Sequence, residues 1–206
     1  RFEITGNVRT IDKVIRRETQ ISEGDAFNAS KLRRGRQKIQ DLNYFNKVDF
    51  KRARGSAPDK TVIQIDVEEK STGSLTFGVG YSTDVGALVD VGLKENNLLG
   101  KGQKLGFNGS FAGEKSTASV SFTEPYFLDR DIAAGFDTYH VVEGLQASGS
   151  HDRKKTGLGL RAGYPISPDL RQNLRYKIES TKVENVSSTA SNLIKAQKGS
   201  RTLSEV

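Results

Sequence analysis

The sequence predicts a small α+β domain followed by antiparallel membrane-spanning β-strands of a partial barrel, and three observations predict it. Composition changes abruptly near residue 70. Before that point the pattern has the order β-α-α-β-β. After it, apolar and polar residues alternate with period two over seven successive segments, as in strands with one apolar and one polar face.

Only 34% of the 206 residues are hydrophobic and 21 are glycine, which is poor material for a large dry core. Residues 1–70 hold 16 Lys/Arg against 11 Asp/Glu and only four glycines. Residues 71–206 hold 16 against 14, and 17 glycines. This shift sets the expected boundary at Lys70–Gly73, giving domains 1–70 and 71–206. No apolar run approaches the ~20 residues of a membrane helix, so strands must do any spanning. The sequence starts at Arg1 without a leader, and any targeting signal is expected upstream. With no cysteine, disulfides, thiolate metal sites and a Cys nucleophile are excluded for this segment.

In the first seventy residues, Phe2-Glu3-Ile4-Thr5 reads as a strand and Gly6-Asn7 as a turn. Thr10 is placed to cap a helix with an apolar stripe of Ile11, Val14 and Ile15, which Glu23-Gly24-Asp25 breaks. Ser30 is placed to cap a second helix with Leu32, Ile39 and Leu42 on one face and Lys31, Arg33, Arg34, Arg36 and Lys38 elsewhere. Two strands follow, one with Val48 and Phe50, the other with Ile63, Ile65 and Val67, joined by a loop over 54–59. Two helices on one face of a three-stranded sheet leave exposed edges, and an exposed edge can pair with an extended chain. The candidate edge is Lys47–Arg54, beginning Lys47, Val48, Asp49, Phe50; a strand merely blunted by Lys47, Lys51 and Arg52 is the competing reading. The basic helix face lacks the interleaved aromatics and motif of a nucleic-acid binder. It reads as a solvated face, or as a docking surface for an acidic partner or anionic lipid heads.

From residue 74 the alternation is explicit. Leu75, Phe77, Val79 and Tyr81 alternate with Ser74, Thr76, Gly78 and Gly80. Further segments carry Val89-Val91-Leu93, Leu105-Phe107-Phe111, Ala118-Val120-Phe122, Ile132-Ala134-Phe136, Leu158-Leu160-Ala162-Tyr164 and Leu174-Tyr176-Ile178 on one face. The opposite face holds glycine, hydroxyls and charges, among them Arg161, Arg171, Arg175 and Lys177, expected to face a lumen. Residues 83–86 and 113–115 read as tight turns, and 147–155 and 184–200 as long polar loops. If 1–70 is periplasmic, the long loops fall outside. The turns with Leu98-Leu99-Gly100, Pro125-Tyr126-Phe127 and Pro165–Pro168 then fall on the periplasmic side, the outer-membrane barrel pattern, with Tyr126 and Phe127 in an aromatic girdle. Seven strands cannot close a barrel. The sequence is therefore expected to be a fragment, with Thr202–Val206 starting an eighth strand.

Enzyme chemistry has no foothold. His140-Val-Val-Glu143 has a loose metal-ligand spacing without the helical H-E-x-x-H pair. Gly78-x-Gly80 and Gly157-x-Gly159 lie in strands, and Gly100-Lys-Gly102 lacks phosphate-loop spacing. No G-x-S-x-G elbow is present. No cofactor, metal or catalytic residue is expected.

The module ending in Val62-Ile-Gln-Ile-Asp-Val-Glu-Glu69 resembles a membrane-proximal POTRA domain. It is followed by Gly73-Ser-Leu-Thr-Phe-Gly-Val-Gly-Tyr81, Glu95-Asn-Asn-Leu-Leu-Gly-Lys-Gly102 and Phe122-Thr-Glu-Pro-Tyr-Phe127. This succession resembles the POTRA-plus-barrel superfamily of outer-membrane β-barrel assembly factors over essentially the whole chain. The superfamily also holds TamA-like translocation factors and two-partner secretion transporters. The resemblance implies a sixteen-stranded barrel whose first strand pairs weakly with the last, leaving a lateral gate that templates client strands, while POTRA modules hand clients over by β-augmentation. Carried onto this sequence, the gate strand is Ser74–Ser82, with Leu75, Phe77, Gly78, Val79, Gly80 and Tyr81 as client-pairing residues. The implied location is the outer membrane, with the N-terminal domain in the periplasm. Implied partners are unfolded outer-membrane clients, accessory lipoproteins and outer-membrane lipid, with no nucleic acid. A secretion transporter would instead meet its cargo through Arg161, Arg171, Arg175 and Lys177.

Overall fold

The computed structural model describes residues 1–57, 60–83, 86–145 (backbone only at Leu145), 151–167 and 170–206. Residues 58–59, 84–85, 147–150 and 168, which belong to predicted turns and loops, lie outside the described residues. The chain forms two compact units. One joins Arg1–Gly73 with Asn96–Gln103; the other comprises Ser74–Glu95 and Lys104–Val206.

In the N-terminal unit, β1 (Phe2–Thr5), β2 (Phe45–Arg54) and β3 (Thr61–Glu69) form a sheet of order β1-β3-β2, with α1 (Asp12–Arg16) and α2 (Ala29–Asp41). β1 runs parallel to β3, and β2 antiparallel. The period-two pattern of Ile63, Ile65 and Val67 and the helical spacing of Val14, Ile15 and Ile39 converge, with Phe2, Tyr44, Phe45 and Val48, on one buried cluster. Removing these side chains from water is the main stabilising term.

Both predicted caps are corrected. The α1 N-cap is Ile11, which makes no side-chain cap, and α2 is capped by Asn28, whose Oδ1 accepts from the Lys31 amide at 2.9 Å. Thr10 is buried and its hydroxyl is engaged elsewhere, while Ser30 already lies inside the helix. Ile11 is exposed rather than part of the buried stripe.

The second unit contains an eight-stranded antiparallel sheet in chain order. It runs through β4 (Gly73–Ser82), β5 (Gly86–Leu98), β6 (Gln103–Ala112), β7 (Lys115–Glu124), β8 (Ala133–Leu145), β9 (His151–Ser167), β10 (Leu170–Glu184) and β11 (Gly199–Glu205). The expected eighth strand is present and begins at Gly199 rather than Thr202, because its backbone pairs with β10 from Val183↔Gly199 to Lys177↔Glu205 despite a polar sequence. A short helix, α3 (Asn192–Ala196), lies in the β10–β11 connection.

The predicted 147–155 loop is shortened, since β9 begins at His151. Charge misled the reading. Arg153 and Lys154 are held in the strand by cross-strand partners, Arg153 by Glu143 and Lys154 by Glu184, the latter at 2.8 Å. Likewise β9 runs to Ser167, so Pro165 is a strand residue rather than a turn residue. Among the described residues no helix is long and apolar enough to cross a membrane.

Candidate functional site

Register fixes which residues share a face. In β7 to β10, Phe122↔Phe136, Phe136↔Leu160 and Leu160↔Tyr176 line up, with Leu158↔Ile178 and Ala162↔Leu174 beside them. This apolar face is uncovered: Leu75, Phe77, Val79 and Tyr81 on β4 are 71–80% exposed. So extended a bare apolar face requires a non-aqueous neighbour.

The opposite face carries the predicted lumen residues, packed over glycines. Tyr139↔Gly157 and Gly157↔Glu179 are register partners, so Tyr139 reaches across β9 and hydrogen-bonds Glu179. A Cβ on Gly157 would fall 2.3 Å from the Tyr139 ring. Lys177 joins this group, with Nζ 3.0 Å from Glu179 and 5.7 Å above the Tyr139 ring. Arg161 lies over Gly135, pairs with Asp137 (Nη2 to Oδ1, 3.0 Å) and donates to Thr123 Oγ1 at 3.1 Å. Arg171 pairs with Asp131 at 3.1 Å. The Arg175 side chain makes no hydrogen bond or ion pair among the described residues. His140 and Glu143, three positions apart on a strand, point to opposite faces. His140 contacts Thr156 and Glu143 pairs with Lys115, so the structure does not bring the two together.

Among the described residues β4 ends the sheet and is hydrogen-bonded to β5 alone. Its polar-face residues are small. A Cβ on Gly78 or Gly80 would make only ordinary contact, at 3.4 Å or more, with Asp90 or Leu88 of β5. Among the described residues no side chain caps the backbone of Ser74–Tyr81. The result is an open strand edge with apolar side chains on one face and almost none on the other.

The N-terminal sheet has two edges of its own. β1 is short, and side chains close it: the Phe2 amide donates to Glu23 Oε1 at 3.0 Å and its carbonyl accepts from Arg16 at 3.3 Å. The amide of Phe2 and the Arg16 guanidinium hold the Glu23 carboxyl below its usual range. β2 is the other edge. Gly55 donates to Lys60 of the neighbouring segment, so odd-numbered residues bond inward to β3 and Val48, Phe50, Arg52 and Arg54 turn their backbone groups outward. Val48 is buried and Phe50 packs on the core. On the opposite face of β2, Lys47 pairs with Asp49 at 3.1 Å and Lys51 with Asp66 at 2.6 Å. The Lys51 pairing raises the lysine and, with Thr5, lowers the Asp66 carboxyl.

One constellation escaped reading from the residues. The segment Asn96–Gln103 packs into the N-terminal unit. Asn97, 7% exposed, donates from Nδ2 to Thr10 Oγ1 at 2.8 Å and accepts the Gly102 amide at 2.7 Å. Gly100 accepts from the Ile11 amide at 3.0 Å, and Glu69 receives the Arg9 and Thr10 amides. Gly100 and Gly102 have φ of +72° and +74°, and a Cβ on Gly100 would stand 1.9 Å from the Arg9 carbonyl oxygen. The signal was in N-N-L-L-G-K-G. An asparagine before two close glycines interrupts the strand alternation where a bare turn needs no such restriction.

The chain matches the Omp85 superfamily domain over residues 97–206. It also matches the POTRA family, described as a surface antigen variable number repeat, over residues 1–70. It is 34% identical to the outer membrane protein assembly factor BamA of Neisseria meningitidis serogroup B over 177 residues, 84% of this chain and 22% of that protein. The crystal structure of BamA from Haemophilus ducreyi lacking POTRA domains 1–3 superposes with a TM-score of 0.74 at 27% identity, covering 90% of this chain and 36% of that one. CdiB from Acinetobacter baumannii shares the fold, with a TM-score of 0.58 at 16% identity over 88% of this chain and 37% of that one. The chain spans about a quarter of the length of the curated relatives it matches. A POTRA domain followed by antiparallel strands of an open, partial β-barrel, matched over more than half its length, places this chain in the Omp85 superfamily.

Proposed function

We propose that this chain is the membrane-proximal POTRA domain and first barrel strands of an outer-membrane protein assembly factor. In this reading it folds and inserts client β-barrels by offering them strand edges, with no covalent chemistry and no cofactor. The barrel strands lie in the outer membrane, with residues 1–70 in the periplasm and 71–206 in the barrel. Clients are unfolded outer-membrane proteins, and accessory lipoproteins complete the assembly.

The observation that carries this reading is the β4 edge. A client strand beside Ser74–Ser82 would find a ladder of unused backbone donors and acceptors, the main source of affinity in strand addition. Leu75, Phe77, Val79 and Tyr81 would share the lipid face with alternate client residues. Gly78 and Gly80 would leave the other face clear for close approach. The β2 edge, through Lys47, Val48, Asp49 and Phe50, would serve clients before they reach β4.

The test exploits the absence of cysteine. Single cysteines along Ser74–Ser82 in the full-length protein are paired with cysteines in the terminal strand of a stalled client barrel. Disulfides recurring at alternate positions in one register are expected. Crosslinks arising only from Arg161, Arg171, Arg175 or Lys177 to a soluble passenger would replace this reading with secretion through a lumen.

A further inference from the structure

The outward acceptor at Val48 on β2 is not vacant. Arg36 of α2 donates from Nε to the Val48 carbonyl at 2.9 Å, and its Nη2 lies 3.5 Å from Asp49 Oδ1. An incoming strand needs that carbonyl. The guanidinium is nearly half exposed, so it can leave without uncovering core. The i, i+3, i+4, i+7 spacing puts Arg33, Arg36, Gln37 and Gln40 on one stripe of α2. That stripe therefore runs along the flank from which Arg36 reaches the β2 edge. The Arg33 side chain makes no hydrogen bond or ion pair among the described residues, nor do the side chains of Lys31, Arg34 and Lys38 elsewhere on the helix. The flank offers the cationic donors of Arg33 and Arg36, and its one carboxylate, Asp41 at the last residue of α2, is taken by the Gln37 amide at 2.8 Å.

We propose that Arg36 is an exchangeable latch on the β2 edge, and that the strand this edge prefers carries carboxylates on its side facing α2. On docking, the client's backbone N–H takes over the Val48 carbonyl, and Arg36 turns to a client carboxylate. No buried polar group is orphaned at any stage, and the guanidinium exchanges a neutral carbonyl acceptor for an ionised carboxylate, the stronger partner. A neutral strand displaces the same arginine and leaves it only its 3.5 Å contact with Asp49. The edge thus discriminates by what it makes the client replace. This inference rests on the reading of β2 as a client edge and adds the class of client to it.

The test uses the full-length protein with Ala53→Cys, on the open face of β2, and two synthetic ten-residue strands that differ only in Glu or Gln at alternate positions. Disulfide capture by the wild-type arginine background is expected to favour the Glu strand about tenfold at low salt, as one charge-assisted hydrogen bond would. The preference should shrink as ionic strength rises. Arg36→Gln should abolish the preference and increase capture of the Gln strand, because the carbonyl is no longer capped. Arg36→Lys should keep part of the preference. Equal capture of both strands, unchanged by Arg36→Gln, would overturn the latch while leaving β2 a client edge. Capture of neither strand would remove the client-edge reading and the latch with it.

Discussion

The two units of this chain are built inside out with respect to each other. In the N-terminal unit Phe2, Val14, Ile15, Ile39, Val48 and Ile65 turn inward and are almost wholly buried. In the eight-stranded sheet Leu75, Phe77, Leu160 and Leu174 face outward and stay at least half exposed, while Tyr139, Glu179, Lys177, Arg161 and Asp137 knit the opposite face over glycines. One unit is held by exclusion of water from a core. The other is held by backbone ladders and polar contacts, and leaves its apolar surface uncovered. The same residue types therefore carry opposite structural meanings on either side of residue 73.

Four paired comparisons break or sharpen that contrast. The largest effect is expected from Gly100→Ala. Its Cβ would overlap the Arg9 carbonyl and sit at positive φ, forcing the Asn97 turn out of its seat at a cost of about 4 kcal/mol. Gly86→Ala, with similar φ and open space around it, should cost only about 1 kcal/mol. Hydrogen exchange of α1 and β3 amides in the full-length protein reads the difference. Next, Ile65→Ala should destabilise the N-terminal unit by about 3 kcal/mol, because a closed core leaves a cavity. Leu174→Ala should cost about 1 kcal/mol in micelles, since detergent fills the space; urea midpoints for the two would test this.

Gly157→Ala comes third. Its methyl displaces the Tyr139 ring and should cost about 2 kcal/mol through the lost Tyr139–Glu179 contact. Tyr139→Phe, by keeping the ring, should cost less. The smallest effect concerns acid. Burial alone would raise the Glu69 pKa, but its hydrogen bonds from Thr10 and Arg9 outweigh burial and hold it below the usual range. A depressed carboxyl contributes stability above its unfolded pKa and loses it as pH falls through the folded value. Exchange protection of the Thr10 amide should therefore decline below about pH 4.5, and Glu69→Gln should flatten that decline.

Much of this architecture was legible because period two and period 3.6 are physical signatures. Leu75 to Tyr81 and Leu174 to Ile178 declared one-faced strands, and Ile63, Ile65 and Val67 declared a core strand. What failed were ends. Thr10 looked like a cap and is a buried partner of Asn97, 87 positions away, which no local pattern reports. Arg153 to Lys155 looked like a loop because charge usually means solvent, yet Glu143 and Glu184 hold this stretch in β9. The open edges of β2 and β4 follow from strand order, which period alone does not give. The Arg36 to Val48 contact depends on a helix flank meeting a strand edge, and only coordinates reveal that.

The Asn97 turn also orders events in time. The polar knot around Thr10 stays incomplete until residues 96–103 have been synthesised and delivered, well after β3 is finished. Meanwhile β4 and most of β5 form an excursion whose two ends are then pinned near each other, and the entropy of closing such a loop grows only logarithmically with its length. A nascent chain emerging from its N-terminus thus completes its first unit only after the 74–95 excursion has been made. Trimming the protein at residue 70 would remove the partners that Asn97 and Gly100 supply to Thr10 and Ile11.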